Sequence, residues 1–249
     1  MNPKTLLVTG GSRGIGAATA RLAAQRGWDV AVNYSRDQAA AEAVAMDVRK
    51  AGRRALVVQG DVGIEADVLT MFATIDREWG PLTGLVNNAG VVDVAARVDA
   101  MSAARIERMF TINVFGTMWC AREAVRRMST KHGGAGGVIV NLSSAAAKLG
   151  APGQYVDYAA AKGAVDTFTL GLAREVATEG VRVNAVRPGI IETDIHASGG
   201  QPGRAAQMAP MVPMQRAGSA DEVAQAIIWL LSADSSYTTG TMLDVAGGR

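Results

Sequence analysis

The sequence predicts an α/β fold in which one doubly wound, seven-stranded parallel sheet carries helices on both faces, and three observations support it. Short β-branched and apolar blocks recur at residues 6–9, 30–33, 55–59, 84–87, 138–142, 182–187 and 242–245. The segments between them run to ten or more residues, which suits a helical crossover between parallel strands rather than a hairpin. One such segment shows its helix openly: Ser219 and Glu222 have capping-box spacing, and Val223, Ala226, Ile227, Leu230 and Leu231 follow at helical intervals.

Apolar residues make up 49% of the 249 residues and are spread along the whole chain, so a single domain, 1–249, with one sizeable core is expected. The net charge of +2 arises from 25 basic and 23 acidic residues that are interspersed, which leaves no electrostatic footprint for nucleic acid. Small molecules and copies of the same chain are the expected partners. Cys120 is the only cysteine and sits in an apolar helical stretch, where a small core residue is expected and no intramolecular disulfide can form. The opening Met1-Asn2-Pro3-Lys4-Thr5 runs straight into Leu6-Leu7-Val8 without a signal-peptide pattern, so a cytoplasmic protein is expected. No apolar run approaches the roughly 18 residues of a membrane span. The glycine-rich residues 133–137 read as a loop.

In chain order, the first strand leads directly into Gly10, Ser12, Arg13, Gly14, Ile15 and Gly16, and a helix opens there through Ala17, Ala20, Leu22 and Ala23. Glycines at these positions allow a tight turn and bring backbone N–H groups close to a pyrophosphate, which the positive end of a helix also attracts. A bare structural turn is the alternative, and the placement between first strand and first helix favours phosphate. The second strand ends in Asn33-Tyr34-Ser35-Arg36, the third is followed by Asp61-Val62, and the fourth closes on Asn87-Asn88-Ala89-Gly90. Asn113, with Gly116 beyond it, falls among Ile106, Met109, Phe110, Val114 and Met118 on a predicted buried helix face, where an amide needs partners. Ser143-Ser144 follows the fifth strand.

The stretch 155–177 is alanine-rich and helical in pattern, and Tyr158 and Lys162, four apart, project from one face. A phenol titrates near ~10 in water, and a neighbouring ammonium is expected to lower that toward the working range of an acid/base. Tyr155 is set aside, because Ala159 occupies the place four residues on. Pro188-Gly189, Ile191 and Thr193 follow the sixth strand. Residues 189–218, with Pro202, Pro210 and Pro213, form too long a connection to be ordinary and read as a substrate loop. Glu192 and Asp194 read as solvated turn acids, and His132 and His196 have no ligand-spaced companion, so no metal site is expected.

The spacing Gly-x-x-x-Gly-x-Gly, Asn87-Asn88-Ala89-Gly90, Asn113 with Gly116, Ser143-Ser144, Tyr158-x-x-x-Lys162, and Pro188-Gly189 with Thr193 occur in this order over nearly the whole chain. Together they resemble the short-chain dehydrogenase/reductase family. The resemblance implies a Rossmann-type oxidoreductase that moves a hydride between a nicotinamide and a carbonyl or alcohol carbon, and it is specific for fold and reaction type rather than substrate. It implies Tyr158 as acid/base, Lys162 on the nicotinamide ribose, and Ser144 on the substrate oxygen. Asn113 would bend its helix and hold a water in a proton relay, Asp61-Val62 would meet the adenine, and Thr193 would meet the carboxamide. Asn88, Ala89, Gly90, Pro188, Gly189 and Ile191 complete the implied cofactor contacts. Fourteen residues separate Ser144 from Tyr158, one more than many members have, and the extra residue is expected in the loop around Pro152-Gly153.

The dinucleotide follows from charge. No carboxylate ends the second strand before Asp37 to accept bonds from a 2′-hydroxyl, while Arg13 and Arg36 offer forked donors, with Tyr34 and Ser35 beside them, so NADP(H) is favoured over NAD. Both arginines as solvated surface groups is the alternative. 3-Oxoacyl thioesters are one substrate class in view and sugars or polyols another, differing only in residues 190–218 and 93–98. A non-catalytic NADP-binding sensor or scaffold is the reading from a different class, and the joint presence of Tyr158, Lys162, Asn113 and Ser144 weighs against it. Family members are commonly tetramers, so a homotetramer is expected, with residues 241–245 and the helix at 219–233 in its contacts.

Overall fold

The computed structural model describes residues 4–195 and 199–249; His196 lies outside the described residues. Seven strands form one parallel sheet, β1 (Thr5–Val8), β2 (Asp29–Tyr34), β3 (Ala55–Gln59), β4 (Gly84–Asn87), β5 (Gly137–Leu142), β6 (Val181–Pro188) and β7 (Met242–Val245). Their spatial order is β3-β2-β1-β4-β5-β6-β7. Every pair is parallel, so all seven expected strands occur, shifted by at most a residue at their ends.

Side-chain alternation along each strand sorts the core into two layers. In β1, Leu6 and Val8 pack toward α1 (Gly14–Gln25), α2 (Gln38–Lys50) and the helix Ala220–Leu231, whereas Leu7 packs toward α3 (Glu65–Trp79), α5 (Gly116–Met128) and α7 (Val156–Glu175). The first layer is paved with Ala17, Ala20, Ala23 and Ala24 of α1, small enough to let the helix approach the sheet. The second contains Phe72 and Ile75 of α3 and Cys120 of α5, all fully buried. Burial pushes the Cys120 thiol up to about 12, which suits an inert core residue.

The capping box of the last helix forms as expected, with Ser219 Oγ accepting from the Glu222 amide at 3.2 Å and Glu222 Oε2 accepting from the Ser219 amide at 2.8 Å. The described residues of 189–218 contain the short helix Arg204–Met208 and no strand of the sheet. Their base is closed by a single parallel bridge between Ile191 and Gly218, in which the Gly218 amide donates to Ile190 O and the Glu192 amide to Gly218 O, each at 2.9 Å. Among the described residues no helix is long and apolar enough to cross a membrane.

Strand order reverses between β1 and β4, where successive crossovers leave in opposite directions and open a crevice at the strands' carboxyl ends. A buried polar chain aligns the elements there. Asn87 of β4 donates to Asn141 of β5 at 2.9 Å, and Asn141 donates to Thr169 of α7 at 2.9 Å. Asn87 also donates to Thr117 O of α5 at 3.2 Å.

Candidate active site

The crevice begins at the glycine loop. Gly10 and Gly14 have φ of +59° and +53°, the left-handed region that favours glycine. A Cβ on Gly16 would lie 2.4 Å from Gly10 O and 2.5 Å from Asn88 Nδ2, so only glycine fits this contact. Two asparagines brace the loop. Asn33 Oδ1 accepts from the Gly10 amide at 3.0 Å while its Nδ2 donates to Val58 O and Gly60 O. Asn88 Nδ2 donates to Thr9 O and Gly10 O, and the Thr9 hydroxyl accepts from the Asn88 and Ala89 amides, each at 3.0 Å. No side chain caps α1, so its first N–H groups are left without a side-chain acceptor at the crevice.

Arg13 and Arg36 are exposed, and among the described residues neither has a carboxylate partner. Ser35 is exposed beside them, Ser12 and Ile15 are half-buried, and Tyr34 is buried. Asp61 is engaged locally, its Oδ1 accepting from the Gly63 amide at 2.8 Å and its own amide donating to Asp67 at 2.9 Å, with Val62 buried behind it. The loop, the uncapped helix and two unpaired guanidiniums fit a phosphorylated dinucleotide.

At the other end, α7 presents Tyr158 and Lys162 to the same crevice. Ser144 lies beside the Tyr158 hydroxyl, close enough to oppose the rise of its pKa, and its Oγ accepts from the Ala146 amide at 3.1 Å. Ser143 points elsewhere: its buried hydroxyl donates to Lys162 O at 3.2 Å. Lys162 Nζ donates to Leu142 O at 2.6 Å and lies 5.7 Å from the Tyr158 ring centroid.

Asn113 sits in a π-helical turn, Thr111–Phe115, between α4 (Ala103–Phe110) and α5. Its Oδ1 accepts from the Val91 amide at 3.1 Å and its Nδ2 donates to Val91 O and Met109 O at 3.0 Å each. The side-chain amide is therefore satisfied by protein, and it ties the segment after β4 to the widened turn. Gly116 closes that turn against Val62 O, where a Cβ would stand 2.8 Å away.

The protonation states correct one expectation. Burial pushes Tyr158 up to about 12, and only Ser144 works the other way. The anticipated lowering by Lys162 does not occur; burial brings the lysine itself down to about 8, with Asp166 opposing. Between about pH 8 and the ordinary lysine value the unfolded chain binds a proton that the folded chain has released, so Lys162 makes stability rise with pH there. Replacing it by methionine should remove this slope, at most about 1.4 kcal/mol per pH unit. Urea midpoints at pH 7.5 and 9.5 test this, and equal slopes in both proteins would refute it.

Tyr158, Lys162, Ser144, Asn88, Gly90 and Thr193 border one cavity of about 490 Å³, within the usual range for a small-molecule site. Pro188, Gly189 and Ile191 also line it. The methyl of Thr193 lies 3.4 Å from where a Gly14 Cβ would be, which joins the far side of the crevice to the glycine loop. Glu192 and Asp194 are exposed at the loop's start, and His132 is exposed in a turn away from the cavity lining. Among the described residues no cluster of three His, Cys, Asp or Glu could hold a metal. Sequence reading missed the Asn33 brace, which a polar residue inside an apolar strand could have signalled, and it missed Gln154, Tyr155 and Arg204 on the cavity wall.

Comparison with known proteins places this geometry among relatives. A family model described as Enoyl-(Acyl carrier protein) reductase matches residues 10–249. An uncharacterized oxidoreductase of Escherichia coli (strain K12), YgfF, is 55% identical over 98% of each chain. The cis-4-hydroxycyclohexanecarboxylate dehydrogenase of Sinomonas cyclohexanicum is 40% identical over 98% of this chain and 96% of its own. A solved short-chain dehydrogenase from Burkholderia cenocepacia J2315, in complex with NADP, superposes with a TM-score of 0.90 at 33% identity, covering 98% of this chain and 97% of that one.

Proposed function

The chain belongs to the short-chain dehydrogenase/reductase family and is an oxidoreductase, and from that premise we propose that it transfers hydride between NADP(H) and the carbon of a ketone or secondary alcohol. The observation that supports this best is that Ser144, Tyr158 and Lys162 border one cavity with Ile15 at the end of the glycine loop, Lys162 Nζ lying 5.7 Å from the Tyr158 ring centroid.

When bound, the nicotinamide supplies the hydride in its reduced form and accepts it in its oxidised form. Ser144 fixes the substrate oxygen, and Tyr158 donates its proton to that oxygen as negative charge develops. A phenol held near 12 is protonated at neutral pH, which suits the reducing direction. In the oxidising direction Tyr158 takes the proton back, so that direction gains from rising pH. Lys162 holds the ribose hydroxyls from its anchor on Leu142 O. Asn113 positions Val91 and the π-turn through its side chain, which leaves its main-chain carbonyl, already accepting from Thr117, as the atom for a water-linked relay. Arg13 and Arg36 would hold the 2′-phosphate, with Ser35 beside them, and Asp61-Val62 would meet the adenine.

An apolar carbonyl substrate is favoured over a sugar, because Val92, Leu149, Ile195, Met208 and Met211 line the outer cavity and offer few donors for a polyol. Copies assemble as a homotetramer through the edge strand β7 and the helix Ala220–Leu231, whose Trp229 is 41% exposed. The test is NADPH oxidation over a panel of ketones, acyl thioesters and aldoses, with the mass of the same preparation read by light scattering. Ketone-dependent NADPH oxidation is expected from a tetramer; no turnover with any carbonyl would refute the activity, and a monomer mass the assembly.

A further inference from the structure

Resting on that hydride-transfer reading, we propose that the substrate carries a carboxylate beyond an apolar spacer and that Arg204 binds it. The cavity wall is cationic by composition: among the described residues lining it there is no Asp or Glu, and the charged ones are Lys162, Arg204 and Arg249. Lys162 is committed to Leu142 O beside Tyr158. That leaves the outer cavity with guanidiniums and apolar surface.

Arg204 is held in place by neutral groups alone. Its Nη1 donates to Gln201 Oε1 at 2.7 Å, its Nη2 donates to Gln154 Oε1 at 2.6 Å, and the guanidinium lies 5.1 Å from the Tyr155 ring centroid. Two amide oxygens and an aromatic face orient the fork without neutralising it. Arg105, Arg187 and Arg127, also partly buried, each have a counter-charge: Arg105 pairs with Asp157, Arg187 with Asp166, and Arg127 with Asp76 and Glu123. Arg182, which lacks one, is spent on the main-chain carbonyls of Leu230, Ser232 and Thr238. Arg204 and Arg249 face the cavity, and among the described residues neither has a carboxylate partner; Arg204 is the one whose fork is oriented by side chains. A half-buried guanidinium without a counter-ion, facing a cavity, is free to take one from a ligand.

The wall also suits an apolar body on that ligand. Tyr155, under the guanidinium, immediately precedes α7, the helix that carries Tyr158, and both tyrosines border the one cavity. An apolar spacer between the anion and the reacting oxygen is accommodated by Leu149, Ile195 and Met208. A single planar fork matches a planar monoanion, so carboxylate is the group assigned.

The experiment reads binding, with cyclohexanecarboxylate and its neutral analogue cyclohexanecarboxamide titrated calorimetrically into the NADP-saturated protein. The unmodified protein should prefer the acid. Arg204→Gln should reduce that preference by about 10- to 100-fold, the scale of a lost charge-assisted hydrogen bond, and Arg204→Lys, which keeps the charge and loses the fork, should retain part of it. Equal affinities for acid and amide in the unmodified protein would overturn the proposal. So would an unaltered preference in a folded Arg204→Gln or Arg204→Lys, or a preference removed by Arg249→Gln instead. Because no turnover is needed, carboxylate discrimination through Arg204 together with failure to reduce any ketone would sink the hydride-transfer reading and leave this site standing.

Discussion

Tyr158→Phe should lower kcat by about 10²- to 10⁴-fold, the usual contribution of a positioned general acid, while NADPH still binds. The ring and its packing on α7 are kept; only the hydroxyl beside Ser144 is lost. The two serines should then separate. Ser144→Ala removes the neighbour of that hydroxyl and should depress turnover. Ser143→Ala removes a buried bond to Lys162 O and should appear mainly as about 1 kcal/mol of stability. Stopped-flow reduction and equilibrium NADPH titration on the same folded variants decide the matter. A Tyr158→Phe enzyme with most of its activity would contradict the mechanism even with the family assignment intact.

The second large effect should fall on cofactor choice. Arg36→Asp exchanges a donor for a 2′-phosphate for an acceptor of a 2′-hydroxyl, and both changes act in the same direction. Loss of a charge-assisted contact corresponds to about 1.5–3 kcal/mol, so NADPH should bind about 10- to 100-fold more weakly, and NADH should gain. Because Arg36 is exposed, the NADPH preference of the unmodified protein should also shrink as salt rises. Dissociation constants for both dinucleotides at low and high salt measure this. Equal affinities in the unmodified protein would remove the basis for the NADP(H) assignment.

The fold was legible because its signals are local. Parallel strands covered on both faces read as short apolar blocks, and Ser219 with Glu222 marks a helix start within four residues. The glycine loop, Asn113, Ser144 and the Tyr158/Lys162 pair were legible for the same reason, since each belongs to a motif of fixed spacing. The loop in which the extra residue before Tyr158 is expected has Gly150, Ala151 and Gly153 all at positive φ, and Ala151, at +45°, is a non-glycine residue in the left-handed region, a conformation that costs on the order of 1 kcal/mol. What was not legible depends on distance in sequence. Asn33 reaches Gly10 and Gly60, Asn87 reaches Asn141 and through it Thr169, and Arg204 reaches Gln154. No periodicity announces such pairs. The rise of Tyr158 to about 12 is of the same kind: spacing placed a lysine beside it, whereas the enclosure that outweighs the lysine comes from packing.

The bridge between Ile191 and Gly218 divides the molecule into a part that can be rewritten and a part that cannot. With its two ends fastened side by side, the intervening chain is a closed excursion from the sheet, and lengthening such an excursion is inexpensive, about 0.6 kcal/mol for each doubling. Ser144, Tyr158, Lys162 and Asn113 all lie outside it, whereas Arg204, Met208 and Met211 lie within. Insertions, deletions and exchanges between residues 192 and 217 can thus alter which molecule is admitted without disturbing the residues proposed to move the proton. A lineage built this way acquires new substrates by editing one appendage, and transplanting that segment between relatives is the corresponding route for an engineer.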